Sequence, residues 1–128
     1  MDRGSIYRKT AGRCAYCGVD LSGRRWHIDH VIPLYRGNGG VMGGADNADN
    51  ALPACPRCNR RKSVLGIEDF RREIEMQVSR LRRDSASFRL AEDFGLVGII
   101  KTKIVFYFEM EDSPASPGTE VNDGMATD

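Results

Sequence analysis

A chain of 128 residues with 41% hydrophobic content has room for one ordinary core and not for a second. Its net charge is only +1 but unevenly spread: residues up to Leu90 hold 17 Lys and Arg against 10 Asp and Glu, and the remainder hold two against eight. The opening MDRGSIYRKTAGR has no apolar signal core and no apolar run approaches the roughly 20 residues of a membrane helix, so a soluble, cytoplasmic protein whose first part suits a polyanion is expected.

In chain order, the first chemical signal is CAYC, Cys14 and Cys17, and its spacing returns in CPRC, Cys55 and Cys58. Two such knuckles read as a four-cysteine site for structural Zn²⁺, because four thiolates suit its tetrahedral preference. Disulfides are the weaker reading in a reducing cytosol, and a redox CxxC accounts for one pair but not for two. A closed zinc site contributes folding energy and offers no open position for chemistry.

The 37 residues between Cys17 and Cys55 exceed the roughly 15 to 20 of a plain zinc ribbon, so something is built on the staple. RRWHIDHVI, bounded by Gly23 and Pro33, predicts a strand, and NALPA predicts a second, at an edge because Pro53 lacks a backbone donor. Between them YRGNGGVMGGADNADN, with five glycines and repeated Asp and Asn, has loop composition. PRCNRRKSV predicts a short helix through Lys62, with Pro56 in its first turn. Cys58 and Lys62 share one face of it, and Asn59 lies about 100° away.

A longer helix is expected over Ile67 to Arg83, where Ile67, Phe70, Ile74, Val78 and Leu81 recur every three or four residues. Acidic residues at its start and Arg80, Arg82 and Arg83 at its end complement the dipole, and it reads as a packing helix with a solvated charged face. SFRLAEDFGL predicts a short helix, and VGIIKTKIVFYFEME one strand or a small hairpin with Phe106 and Phe108 on one face. SPASPGTEVNDGMATD has the make-up of a disordered acidic tail, which divides the chain into a domain over 1–112 and a tail over 113–128.

The only two histidines, His27 and His30, flank Asp29 in HIDH. Taken alone they fit metal ligands, a pH switch or buried imidazoles. Since the cysteines complete a four-coordinate site, neither imidazole is needed there. Asp29 and Asn59 offer oxygen and amide ligands for a hard cation, and a neutral imidazole beside them can deprotonate water at neutral pH.

CAYC, HIDHVIP and NALPACPRCNRRKS, in that order and spacing over about residues 13–63, resemble the HNH endonuclease family, the zinc-stapled branch of the ββα-metal nucleases. The chain is similar to small free-standing HNH proteins of phages and bacteria. The resemblance implies an α+β fold: an HNH core stapled by zinc, with a C-terminal helix and short strands. It further implies His30 as general base, Asp29 and Asn59 as ligands of a catalytic Mg²⁺ or Mn²⁺, and Asn50 as the brace that orients His30. Lys62 either meets a phosphate or caps the helix, and His27 has no fixed role. Arg24, Arg25, Arg57, Arg60 and Arg61 flank the motif and are expected to hold a nucleic-acid backbone without reading bases.

Two departures from the family pattern stand out. ALPA replaces a more hydrophobic run, which predicts a short second strand, and Asn59 in place of a histidine favours Mg²⁺ or Mn²⁺ over softer metals. The activity implied is metal-dependent hydrolysis of double-stranded DNA, leaving 5′-phosphate and 3′-hydroxyl ends, with a homodimer or a second visit needed for a double-strand break. The reading from another class is a noncatalytic zinc module that docks on nucleic acid or protein. The trio Asp29, His30 and Asn59 separates the two, because a docking module has no need of all three.

Overall fold

The computed structural model describes residues 1–34 and 43–110. The expected tail, and residues 35–42 of the glycine-rich loop, lie outside the described residues. The fold is α+β, and its described residues divide into two compact units, one drawn from residues 1–67 and 105–110, the other of residues 68–104. Among the described residues no helix is long and apolar enough to cross a membrane.

The first unit opens with α1 (Arg3–Arg8), an element with no clear sequence signal, capped by the Asp2 carboxylate accepting from the Gly4 N–H at 3.2 Å. Its Ile6 is fully buried, and the Arg3 guanidinium lies 3.8 Å above the Trp26 ring centroid. The first cysteine knuckle follows as a tight reversal in which Arg13 pairs with Asp20, and Gly18 takes a left-handed φ of +79° that a side chain would resist.

Two four-residue strands, β1 (His27–His30) and β2 (Ala51–Ala54), pair antiparallel with Asp29 opposite Leu52 and His30 opposite Ala51. Both predicted strands are present and short, and Pro53 is tolerated because its carbonyl, not its missing donor, is used: it accepts from Ala15 N–H at 2.8 Å. The second knuckle then runs into α2 (Pro56–Lys62), with Cys55 at the N-cap and Pro56 in the first turn. Strand, strand and helix form the ββα unit.

Lys62, at the end of α2, is fully buried. Its ammonium lies 3.1 Å from the carboxylate of Asp29, itself only 5% exposed, and donates to the His30 carbonyl at 3.0 Å. The Tyr16 hydroxyl also donates to that carboxylate, and burial first, then the Asp29 charge, pushes the Tyr16 phenol up and keeps it a donor. One cation and one phenol therefore join α2 and the first knuckle to β1. The Tyr16 ring packs edge-on against Phe106 (5.3 Å between centroids) and Phe108 (5.9 Å).

The expected strand at the C-terminal end is not formed among the described residues. Phe106 and Phe108 sit instead at a 3-10 turn (Tyr107–Glu109), anchored by Tyr107 N–H to the Tyr16 carbonyl and Phe108 N–H to the Ala15 carbonyl. β-branched residues supply propensity, but a strand needs a partner edge, and here the aromatic pair is used to cover the knuckle.

In the second unit the expected single helix is two, α3 (Ile67–Glu75) and α4 (Gln77–Asp84), interrupted at Met76. The Gln77 side-chain amide donates to the Glu73 carbonyl at 2.8 Å, taking the acceptor that its own backbone N–H would otherwise use. α5 (Ala86–Asp93) begins at Ser85, whose hydroxyl accepts from the Phe88 N–H at 3.0 Å. Five of the six arginines of this unit pair with carboxylates, Arg71 with Glu68, Arg72 with Asp69, Arg80 with Glu73, Arg82 with Glu92 and Arg83 with Asp84, while Arg89 donates to the carbonyls of Arg82 and Arg83.

Replacing Lys62 by Met leaves the Asp29 carboxylate buried without its cation. The expected cost is about 3 to 5 kcal/mol, seen as a lower urea midpoint of the zinc-loaded protein, whereas Arg61→Met on the exposed face should stay within about 0.5 kcal/mol.

Candidate active site and metal centre

The sulfur atoms of Cys14, Cys17, Cys55 and Cys58 all lie within 4.8 Å of one another, and none of the four is in a disulfide. Four sulfurs at that spacing, drawn from two knuckles, fit one tetrahedral ion with Zn–S bonds near ~2.3 Å. Cys14 Sγ accepts from the Tyr16 N–H and Cys55 Sγ from the Cys58 N–H, both at 3.4 Å, so the backbone already points donors at the sulfurs. Hydrogen bonds from Cys14 and Cys58 pull the Cys17 thiol far down, and the same network pushes Cys14 and Cys58 up. Cys17 is the exposed member, and Arg57 lies against it, its pKa raised first by the hydrogen bond to that sulfur. A cation there offsets the negative charge that a zinc tetrathiolate carries.

The cysteines fix both ends of the ββα unit, and the remaining candidate residues hang on it. Successive strand residues face opposite ways. Asp29 turns inward to Tyr16 and Lys62, while the side chain of His30, 22% exposed, reaches Asp46, with Nε2 at 2.9 Å from Oδ1. Asp29 Oδ2 is the oxygen that Tyr16 and Lys62 use. Oδ1 makes no hydrogen bond among the described residues.

Asn50 is engaged at three points. Its Oδ1 accepts from the Ile32 N–H at 2.9 Å, and its Nδ2 donates to the carbonyls of Ile32 at 2.8 Å and Ala45 at 2.9 Å. The amide thus ties the chain just after His30 to the chain just before Asp46. Gly44 closes the same loop, its N–H donating to the Pro33 carbonyl at 3.0 Å, and a Cβ there would overlap the Ile32 carbonyl oxygen. Lys9 completes the frame by donating to the carbonyls of Ala48 and Ala51. A cleft of about 560 Å³ beside it is lined by Lys9, Val31, Ile32, Asn50, Leu52 and Phe108, among others.

Asn59 lies on α2 one turn before Lys62, half-buried, with no side-chain hydrogen bond among the described residues. His27 is half-buried in β1 and likewise makes none. Arg24, Arg25, Arg60 and Arg61 are exposed and make no ion pair among the described residues. Lys62, by contrast, faces inward and does not reach the surface. Three residues of this site were not singled out in the sequence: Tyr16, inside a knuckle read only for its cysteines; Asp46, one of several Asp and Asn in a loop; and Lys9, in a stretch read only as basic.

Two outcomes follow from this construction. Stripping zinc with a strong chelator should abolish cooperative unfolding and reduce far-ultraviolet circular dichroism, and re-adding Zn²⁺ should restore both. Gly44→Ala should lower the melting temperature by several degrees, as a loss of about 1 to 3 kcal/mol does in a chain of this size, because the Ile32 carbonyl must move off the Asn50 amide.

No curated protein matches the chain, and no solved structure does. A family model does: residues 14–64 match that of the HNH endonucleases. That stretch is similar to the HNH endonucleases and carries all four cysteines, both strands and α2.

Proposed function

We propose that the protein is a metal-dependent endonuclease that hydrolyses phosphodiester bonds of double-stranded DNA. The observation that carries this reading is that the matched segment holds Asp29, His30, Asn50 and Asn59 on a strand, a turn and a helix pinned by one cysteine cluster. A docking module needs the cluster and has no use for that set.

Asp29 and Asn59 would hold the catalytic Mg²⁺ or Mn²⁺. The residues fit a hard cation: Asp29 has one carboxylate oxygen, and Asn59 its amide, with no hydrogen-bond partner among the described residues. When bound, such an ion supplies positive charge against the phosphodiester and its leaving 3′ oxygen. Lys62 and Tyr16 fix Asp29 in direction through Oδ2, which leaves Oδ1 for the ion.

His30 is the general base. Its imidazole takes a proton from the attacking water as the new bond to phosphorus forms and the bond to the 3′ oxygen breaks; the departing oxygen takes a proton from solvent, leaving a 5′-phosphate and a 3′-hydroxyl. Arg24, Arg25, Arg60 and Arg61 are the exposed cations that meet the DNA backbone. Five arginines of the second unit are neutralised by carboxylates and are poorer candidates.

The test is nicking of supercoiled plasmid by the zinc-loaded protein with Mg²⁺ or Mn²⁺. Wild type should nick, and His30→Ala should lower the rate by roughly 10² to 10⁴ at unchanged fold. Intact plasmid across both metals would favour the docking module. Normal cleavage by His30→Ala would remove His30 as the base. In a gel-shift titration, Arg60→Ala with Arg61→Ala should weaken binding to unrelated DNA sequences equally and reduce its salt dependence.

A further inference from the structure

His30 has two ring nitrogens, and the loop after β1 has already taken one of them. Nε2 lies 2.9 Å from Oδ1 of Asp46, whose side chain is 68% exposed and has no other ion pair among the described residues. A carboxylate is an acceptor only, so in a neutral imidazole the shared proton sits on Nε2 and Nδ1 is left with its lone pair.

This contact is built rather than incidental. Asp46 and His30 are 16 residues apart and meet because Asn50 grips both approaches, holding Ile32 by two hydrogen bonds and Ala45 by a third. Asn47 caps the 3-10 turn (Ala48–Asn50) that follows, its Oδ1 accepting from the Asp49 N–H at 3.0 Å, which fixes the backbone on the other side of Asp46. The opposite edge of the ring's residue is fixed too, because the His30 carbonyl accepts from Lys62. Backbone and imidazole are therefore both restrained.

We propose that Asp46 is the positioning residue for His30: its carboxylate holds the ring in the Nε2–H tautomer and aims Nδ1 at the water to be deprotonated. This rests on the reading of His30 as general base. An orienting acceptor works by removing the other tautomer and the other ring rotations, as in other carboxylate–histidine pairs. Asn50 acts one step further out, through Asp46, and not by touching the imidazole.

The two parts of the test separate this inference from the nuclease reading. Long-range ¹⁵N–¹H spectra of the zinc-loaded protein, without Mg²⁺ or DNA, report the His30 tautomer directly; His27→Gln leaves a single histidine and so assigns the signals. Wild type should show one nitrogen of pyrrole type at Nε2 and one of pyridine type at Nδ1. In Asp46→Ala the two ¹⁵N shifts should move toward each other as both tautomers become populated.

In plasmid nicking, Asp46→Ala should lower kcat by roughly 10- to 100-fold with KM little changed, Asp46→Asn should lower it by less, and Asp46→Glu should recover most of it. Unchanged ¹⁵N shifts in Asp46→Ala would overturn the proposal. So would a change confined to KM, or unaltered cleavage by both Asp46→Ala and Asp46→Asn. If wild type cleaves nothing, the nuclease reading fails while the spectra still decide whether Asp46 sets the tautomer.

Discussion

The buried pair of Lys62 and Asp29 is the constraint on which the rest of the first unit depends. An ammonium and a carboxylate taken out of water lose hydration worth several kcal/mol each, and only close geometry with additional hydrogen bonds compensates for it. Here Lys62 has two acceptors, the Asp29 carboxylate and the His30 carbonyl, and Asp29 has a second donor in Tyr16. Any slip of α2 along β1 breaks at least one of these contacts and strands a charge. The pair thus sets one relative placement of strand and helix, whereas sulfur ligation alone would tolerate small rotations about the ion. The four cysteines bring the elements together, and Lys62 decides how they face.

Charge is partitioned along the same lines. Arginines are present throughout the chain up to Leu90, and composition alone offers no way to rank them. In the helices of the second unit five of six arginines find a carboxylate, at spacings from one residue to ten. Such exposed pairs contribute little to stability, but they cancel the local field. In the segment matched by the family model, Arg24, Arg25, Arg60 and Arg61 have no such partner among the described residues. These four uncompensated cations flank the candidate site, where a polyanion would be drawn.

What could be read from the sequence was mostly local. CxxC spacing, the Pro56 helix start and the strand content of HIDH depend on neighbours within a few residues, and each has its counterpart in the structure. The brace at Asn50 was expected through its place in the family motif and has a definite hydrogen-bond set. The contacts that could not be read are long-range. Lys62 meets residues 32 and 33 positions earlier, and Lys is so rarely enclosed that a surface role is the natural default. Asp46 has no local feature to set it apart from Asp49. The C-terminal run rich in Val, Ile and Phe has strand propensity, but whether a strand forms depends on an available edge, which no local pattern reports.

His30 stands between two carboxylates in opposite environments, and the difference sorts their functions. Asp29 is enclosed and already neutralised on one oxygen, so its remaining oxygen is fixed in direction and suited to a ligand that must not move. Asp46 is exposed and carries a single imidazole contact, so it can polarise and orient that ring without the desolvation cost of a buried ion pair. Exchanging the two would fail on both counts: a buried partner for His30 would stabilise its charged form against a closed wall, and an exposed ligand would be screened and mobile. Strand alternation achieves the separation with adjacent residues, because β1 sends Asp29 toward α2 and His30 toward the loop. A two-residue sequence, Asp-His, thereby becomes two chemically distinct groups only where the strand is held from both sides, by Lys62 on one and by Asn50 on the other.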